Sequence, residues 1–404
     1  MSLSPSSTEQ IDDFEKVVLS DPHQAYRVLR ADGPVRKMQM PDGMKAWVIT
    51  RYDEARAALA DPALQKAPPA GGMAEQGLQQ LDDDFSDDLA ANLITVDPPE
   101  HTRLRKLVTK AFTSRRVEAL RPRIEQIADE LLDEMANHTE VDLLDAFAFP
   151  LPMTVICEFL GVPDEDRDDF RQWSKYLLDV DSAEAGPVSA SMAAYLMRLI
   201  ATKRDDPGDD LLTALIQARD DDDRLSEQEL VSMVFVLLLA GHETTVSLIS
   251  NGVLALLRHP EQLAALTADP GLLPGAVEEF LRFDGPIHLA TLRWATTDLT
   301  LHGASVAAGE PVLVSLLSAN RDASRFDDPD RFDITRKPES HLAFGHGIHY
   351  CLGAALARLE GEIAFGRLLA RFPDLSLAGE PEALQWRHST LIRGVERLPV
   401  RLAA

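Results

Sequence analysis

The sequence predicts a mainly α-helical protein with a smaller β-rich part, and three observations carry that expectation. Apolar residues make up 45% of the 404-residue chain but aromatics only 6%, so the core is aliphatic, as helical cores commonly are. A capping-box pattern at Ser226-Glu227-Gln228-Glu229 opens an apolar-rich run that lasts to His259, where Pro260 stops it. At 1.5 Å per residue this helix is roughly 50 Å long, enough to cross a whole domain. Short alternating stretches bounded by turn residues gather in residues 30–60, 285–320 and 385–404. No Gly/Ser- or Pro-rich linker divides the chain, so residues 1–404 read as one domain.

Charge and cysteine usage narrow the class. With 40 basic and 66 acidic residues the net charge is −26, which argues against general affinity for nucleic acid or an anionic membrane. Cys157 and Cys351 lie far apart without a disulfide framework, which fits a reducing cytoplasm. Met1 to Glu9 has neither the basic nor the apolar part of a signal peptide. The longest uninterrupted apolar run, Met233 to Ala240, is far shorter than the roughly 20 residues of a bilayer span. A cytoplasmic, membrane-free protein is expected.

Taken in order, Asp21 to Ala31 reads as a helix, and Val35–Met40 and Ala46–Thr50 as strands joined by Pro41-Asp42-Gly43. Tyr52 to Leu59 is helical again. A loop follows, carrying Asp82, Asp83, Asp84, Asp87 and Asp88, which read as a solvated turn. Pro98-Pro99-Glu100 opens a helix on which Arg103, Arg105 and Lys106, continuing to Lys110, Arg115 and Arg116, concentrate positive charge. That is either a solvated basic face or a surface for an acidic partner. Glu125 to Met135 is an amphipathic helix, and Cys157 sits in an apolar helix, Met153 to Leu160, as core. Between Pro163 and Arg204 the pattern gives two or three helices with a break at 179–187. Gly285 to Arg293 reads as extended, Leu299–Leu301 and Pro311–Leu317 as strands, and Leu391–Val395 with Leu398–Leu402 as a closing hairpin.

Two stretches break the local rules. Phe344-Gly-His-Gly-Ile-His-Tyr-Cys-Leu-Gly353 puts Cys351 just before a helix-forming run that reaches Arg371. A helix N-terminus lowers a thiol pKa, and Gly347 and Gly353 permit close approach to the backbone. Taken alone, Cys351 reads equally as an inert residue at a helix cap. A dinucleotide loop is excluded, because Tyr350 stands where the third glycine of GxGxxG would fall. Inside the long helix, Ala240-Gly241-His242-Glu243-Thr244-Thr245 interrupts a Leu/Val-rich pattern with a glycine and two threonines. Such a break weakens the helix by about 1 kcal/mol at Gly and some tenths at each Thr. It is either a kink made by a back-bonded threonine or a functional pairing of acid and alcohol.

The order Phe344, Gly347, Cys351, Gly353 resembles the haem-thiolate signature of the cytochromes P450. The likeness covers nearly the whole chain, with three motifs in the family's order. Glu-x-x-Arg also occurs at Glu100–Arg103 and Glu118–Arg121, but chain order singles out Glu279–Arg282. The resemblance implies the P450 fold, haem b, and Cys351 as the axial ligand of the haem iron. Phe344, Gly347 and Gly353 would lie against haem, with Ala240 and Gly241 leaving room for O2. His101, Arg105, Arg293 and His349 would face the propionates. Glu243 and Thr244 would be the catalytic acid and alcohol that deliver protons, with Glu279 and Arg282 as structural support. Ile287, His288, Leu289 and Leu391 would line the substrate pocket, under a lid formed by residues 163–204.

The activity so implied is oxygenation of a small hydrophobic molecule, a polyketide or macrolide of actinobacterial secondary metabolism. The aspartates at 82–88 could then hold the amine of an aminosugar. No flavin or nucleotide motif is present, so a ferredoxin and its NAD(P)H-dependent reductase would supply electrons to a monomer. The rivals are a peroxide-driven peroxygenase, a haem sensor or carrier, and a cysteine hydrolase using Cys351 with His349. The Glu243-Thr244 pair argues against the first two, and the position of His349 on a turn against the third.

Overall fold

The computed structural model describes residues 12–19, 21–68, 89, 92–178, 185–220, 223–337 and 340–402. Its spine is the helix Glu227–Arg258. The Ser226 hydroxyl accepts from the Glu229 N–H and the Glu229 carboxylate from the Ser226 N–H, so the expected capping box forms. The helix is long and apolar enough to cross a bilayer, but 72% of its most apolar window is buried inside the protein. Helices Pro150–Leu160, Ala185–Asp205, Leu273–Asp284 and Ala354–Arg371 pack around it.

Close approach between two of these helices depends on Gly252. A Cβ there would stand 2.4 Å from the fully buried Phe365 ring and 3.0 Å from Phe280. Alanine gains helix propensity of about 1 kcal/mol over glycine, yet overpacking of this kind costs about 1–3 kcal/mol. Gly252→Ala is expected to lose on balance about 1 kcal/mol in urea unfolding; a stabilised variant would show that the two helices are free to separate.

The largest sheet joins the first part of the chain to residues 293–314. It runs in the order Asp12–Asp13, Val35–Gln39, Lys45–Ile49, Pro311–Val314, Arg293–Ala295, Leu64–Gln65. Its central contact is the parallel pairing of Lys45–Ile49 with Pro311–Val314. Strand alternation sends Val48 and Leu313 to one face, with Phe14, Tyr26 and Met38. Ile49, Val312 and Val314 face the other way, with Tyr52, Leu59 and Phe326.

Several expectations change in detail. The helix expected from Glu125 begins at Arg121, because Pro122 suits its first turn. The strand expected over Pro311–Leu317 ends at Val314, where the Ser315 hydroxyl caps a short helix, Leu316–Ala319. Of Gly285–Arg293 only Arg293 joins a strand; Ile287 and Leu289 form isolated bridges. The closing hairpin is not Leu391–Val395 with Leu398–Leu402. Pro399–Arg401 instead pairs with Ser376–Leu377 and Glu140–Asp142, and the segment before it folds on itself, Trp386 bridging Val395. The aspartates at 82–88 lie outside the described residues.

Candidate active site

The Cys351 loop is shaped by two left-handed glycines, Gly345 at φ 72° and Gly347 at φ 76°. At Gly347 a Cβ would also sit 2.8 Å from the Leu59 carbonyl, so glycine is required there twice over. Gly353 is different: its φ of −81° suits any residue, and the nearest protein atom to a Cβ would be Cys351 Sγ at 3.9 Å. The Cys351 N–H donates to the Phe344 carbonyl at 2.9 Å, closing the loop before the helix starts at Ala354.

The thiol behaves otherwise than its position at a helix start suggests. The N–H groups of Gly353 and Ala354 and the guanidiniums of Arg105 and Arg358 favour the thiolate, but desolvation outweighs them and raises the Cys351 pKa. Cys351 is nonetheless accessible, whereas Cys157 is buried as core.

Beside this loop the fold gathers basic groups from four segments. The rings of His101 and His349 lie 4.3 Å apart. Both nitrogens of His101 and Nδ1 of His349 are buried with no hydrogen-bond partner among the described residues. Burial lowers the pKa of Arg105, and that of Arg293 to about 10. Burial, reinforced by Lys66, His101, Arg293 and Arg105, takes His349 to about 3. Lys66 was not foreseen. Its ammonium donates to the carbonyls of Thr291 at 2.8 Å and Leu292 at 3.1 Å, and burial with the nearby Arg293 lowers it to about 6. Asp97 faces this group, but its oxygens already accept the N–H groups of Lys66 and Ala67 at 2.8–3.0 Å.

On the long helix the Thr244 hydroxyl donates to the Ala240 carbonyl at 2.9 Å, so the back-bonded geometry is present. Ala240 is exposed. A Cβ at Gly241 would meet Ile156 at 3.0 Å, so that glycine makes room for the neighbouring helix. Glu243 is buried, held by Arg387 at 2.6 Å and 3.5 Å from His242 Nε2. Burial opposes its charge, but His242 and Arg387 outweigh it and bring the carboxyl to about 2. His242 in turn donates through Nδ1 to the Leu238 carbonyl at 2.7 Å. Glu360, also unforeseen, is fully buried, and desolvation pushes its carboxyl well above the usual range.

Glu279 and Arg282 form a two-pronged pair at 2.6 and 2.8 Å, with side chains only 2–3% exposed. The other two Glu-x-x-Arg pairs form as well, but on open surface. The substrate residues separate. His288 and Leu289 do not face open space: His288 bonds the Tyr26 hydroxyl at 2.7 Å and packs on Phe14, and Leu289 lies in the same cluster. Ile287 is half-buried against the other cluster, and Leu391 is exposed.

A family model described as Cytochrome P450 matches residues 167–270 and 271–383. The chain belongs to the cytochrome P450 family. It is 54% identical over 398 residues to Cytochrome P450 107B1 of Saccharopolyspora erythraea, with 97% of each chain covered. It is 48% identical to Cytochrome P450 monooxygenase PikC of Streptomyces venezuelae, covering 95% of this chain and 91% of that one. The solved structure of the tirandamycin C-bound P450 monooxygenase TamI superposes with a TM-score of 0.87 at 51% identity, covering 95% and 98%. As a P450 the protein is a haem-thiolate monooxygenase with O2 as co-substrate.

The residues present fit that cofactor. Buried imidazole nitrogens without partners, beside two arginines and a lysine, call for acceptors of opposite charge, and haem carries two propionates.

Proposed function

We propose that this P450 hydroxylates or epoxidises a hydrophobic polyketide or macrolide, with Cys351 as the residue that would hold the haem iron. The unpartnered imidazoles of His101 and His349 carry the placement of the cofactor. Substrate class rests on relatives named for such molecules, among them the Mycinamicin IV hydroxylase/epoxidase of Micromonospora griseorubida, 43% identical.

When bound, haem supplies the activation of O2 and the oxidation of substrate. Cys351 would hold the haem iron, and its sulfur would supply the electron density that thiolate ligation gives. A coordinating thiol is deprotonated outright, which overcomes the desolvation that otherwise keeps Cys351 neutral. His101, Arg105, Arg293, His349 and Lys66 hold the propionates. The Thr244 hydroxyl, already bonded to Ala240, orients the last proton donor, and Glu243 resupplies it. Further along the helix of Arg105, Lys106 and Lys110 border, with Ile348 of the Cys351 loop, a cavity of about 540 Å³. This positive surface suits an acidic ferredoxin, served by an NAD(P)H-dependent reductase and acting on a cytoplasmic monomer.

The test is the spectrum of the purified protein, reduced and exposed to carbon monoxide. A strongly red-shifted Soret band is expected, and polyketide or macrolide ligands should shift the haem spin state. A colourless protein that haem cannot reconstitute would end the assignment; a red one without the shifted band would end the role of Cys351. Thr244→Val is expected to keep that band while slowing product formation by roughly 100-fold, the lower end of general-acid contributions.

A further inference from the structure

The tail segment 385–396 folds into a hairpin, the N–H of Arg387 donating to Gly394 and that of Glu396 to Gln385, both at 2.9 Å. Three of its residues meet one ridge of the long helix, at positions 243, 247 and 251, where a spacing of four places side chains on one face. Arg387 grips Glu243 at 2.6 Å. Gly394 approaches so closely that a Cβ would stand 2.7 Å from the Ser247 hydroxyl. The Asn251 amide donates to the Arg393 carbonyl at 2.9 Å. The hairpin's other side is bonded to the segment before Arg293: His288 N–H to Leu391 O at 2.8 Å, Leu289 N–H to Thr390 O at 3.2 Å, and Arg393 N–H to Pro286 O at 2.8 Å. At the turn His388 and Leu391 are exposed, and at the open end Gln385 and Glu396 are exposed too.

We propose that Arg387 is a positioning residue that latches the Glu243 carboxylate in its charged state, and that this contact must open before Glu243 can take up and pass on a proton. A carboxylate paired at 2.6 Å to a guanidinium is a poor proton acceptor, so a relay through Glu243 needs a conformation in which the pair is apart. The pair has one wet end: the Arg387 side chain is 28% exposed and that of Glu243 only 6%. Swinging Arg387 outward therefore also opens a route from solvent to the acid. Movement of the exposed turn by a substrate would pull on the same hairpin and so tie proton supply to occupancy of the site. Besides Arg387, His242 is the titratable group that acts on Glu243. It is pinned to Leu238 on the same helix, which leaves Arg387 as the movable partner.

The proposal rests on Glu243 being the acid of proton delivery, and the experiment separates the two. Infrared difference spectra of the resting protein on acidification, with Glu243→Gln to identify the band, report protonation of Glu243 without turnover. Arg387→Gln is expected to raise the pH at which that band appears by about 1–3 units, the usual effect of an adjacent cation, and Arg387→Lys to restore most of it. An unmoved titration would overturn the latch. In turnover, the solvent isotope effect should fall in Arg387→Gln and return in Arg387→Lys. A moved titration with an unchanged isotope effect in both Arg387→Gln and Glu243→Gln would refute the role of Glu243 and leave the contact structural. Should Arg387→Gln fail to fold, Glu243→Gln gives the reciprocal reading. Hydrogen exchange at the N–H groups of Arg387 and Glu396 should then quicken several-fold, and unchanged protection would overturn the latch.

Discussion

Cys351→Ser is expected to bind haem and yet lose both the red-shifted carbon monoxide band and the oxygenase activity. Serine keeps the volume and the backbone bond to Phe344, but its hydroxyl does not give the anionic sulfur that drives O–O cleavage. A fall in turnover of at least about 1000-fold, equivalent to roughly 4 kcal/mol of transition-state stabilisation, is the expected scale. Haem retention should change much less, because the groups assigned to the propionates come from other segments: His101, Arg105, Lys66 and Arg293. The converse variant, Arg293→Leu, should weaken haem retention while the loaded fraction keeps its thiolate band. If Cys351→Ser retained the shifted band, the ligand would have to be sought elsewhere.

Glu279→Gln is expected to cost about 3–5 kcal/mol of stability, the scale of breaking a buried ion pair from one side. The Arg282 guanidinium donates to both Glu279 oxygens and to the carbonyls of Asn320 at 3.0 Å, Pro329 at 2.9 Å and Arg331 at 3.3 Å. Glu279 also accepts the Asp333 N–H at 3.0 Å. The pair therefore ties the helix Leu273–Asp284 to the loop that leads toward Cys351. Removing the carboxylate charge leaves a guanidinium buried without compensation. The same change at Glu100 or Glu118, on exposed helix faces, should cost no more than about 0.5 kcal/mol. Thermal unfolding of the three variants side by side checks this, and equal melting temperatures would remove Glu279 from the structural core.

What could be read beforehand was what is written locally. The capping box at Ser226 and the stop at Pro260 set the ends of the long helix. Gly347 was legible as a position of close backbone approach, and chain order distinguished Glu279–Arg282 from two look-alikes whose burial alone now sets them apart. What could not be read depended on distant partners. Lys66 and Arg387 sit in stretches with no pattern of their own, Glu360 in a helix whose pattern does not mark it, and each matters because of a group more than a hundred residues away or the apolar mass around it. The packing of His288 depended on distant partners in the same way: an extended segment has two faces, and Tyr26 and Phe14 hold its ring. The Cys351 thiol shows the limit of arguing from a helix start alone, since desolvation, a property of the whole fold, outweighs the local N–H groups.

The parallel pairing of Lys45–Ile49 with Pro311–Val314 sets a timetable for synthesis. A ribosome adding about 5–20 residues per second makes the hairpin Val35–Ile49 early and then takes tens of seconds to deliver the strand that lies beside it. Throughout that interval the Lys45–Ile49 edge, with Trp47, Val48 and Ile49, is open to any other extended chain. Overexpression in a fast host therefore exposes many copies of one sticky edge at once, and slower translation at low temperature should raise the soluble yield more than a change of buffer.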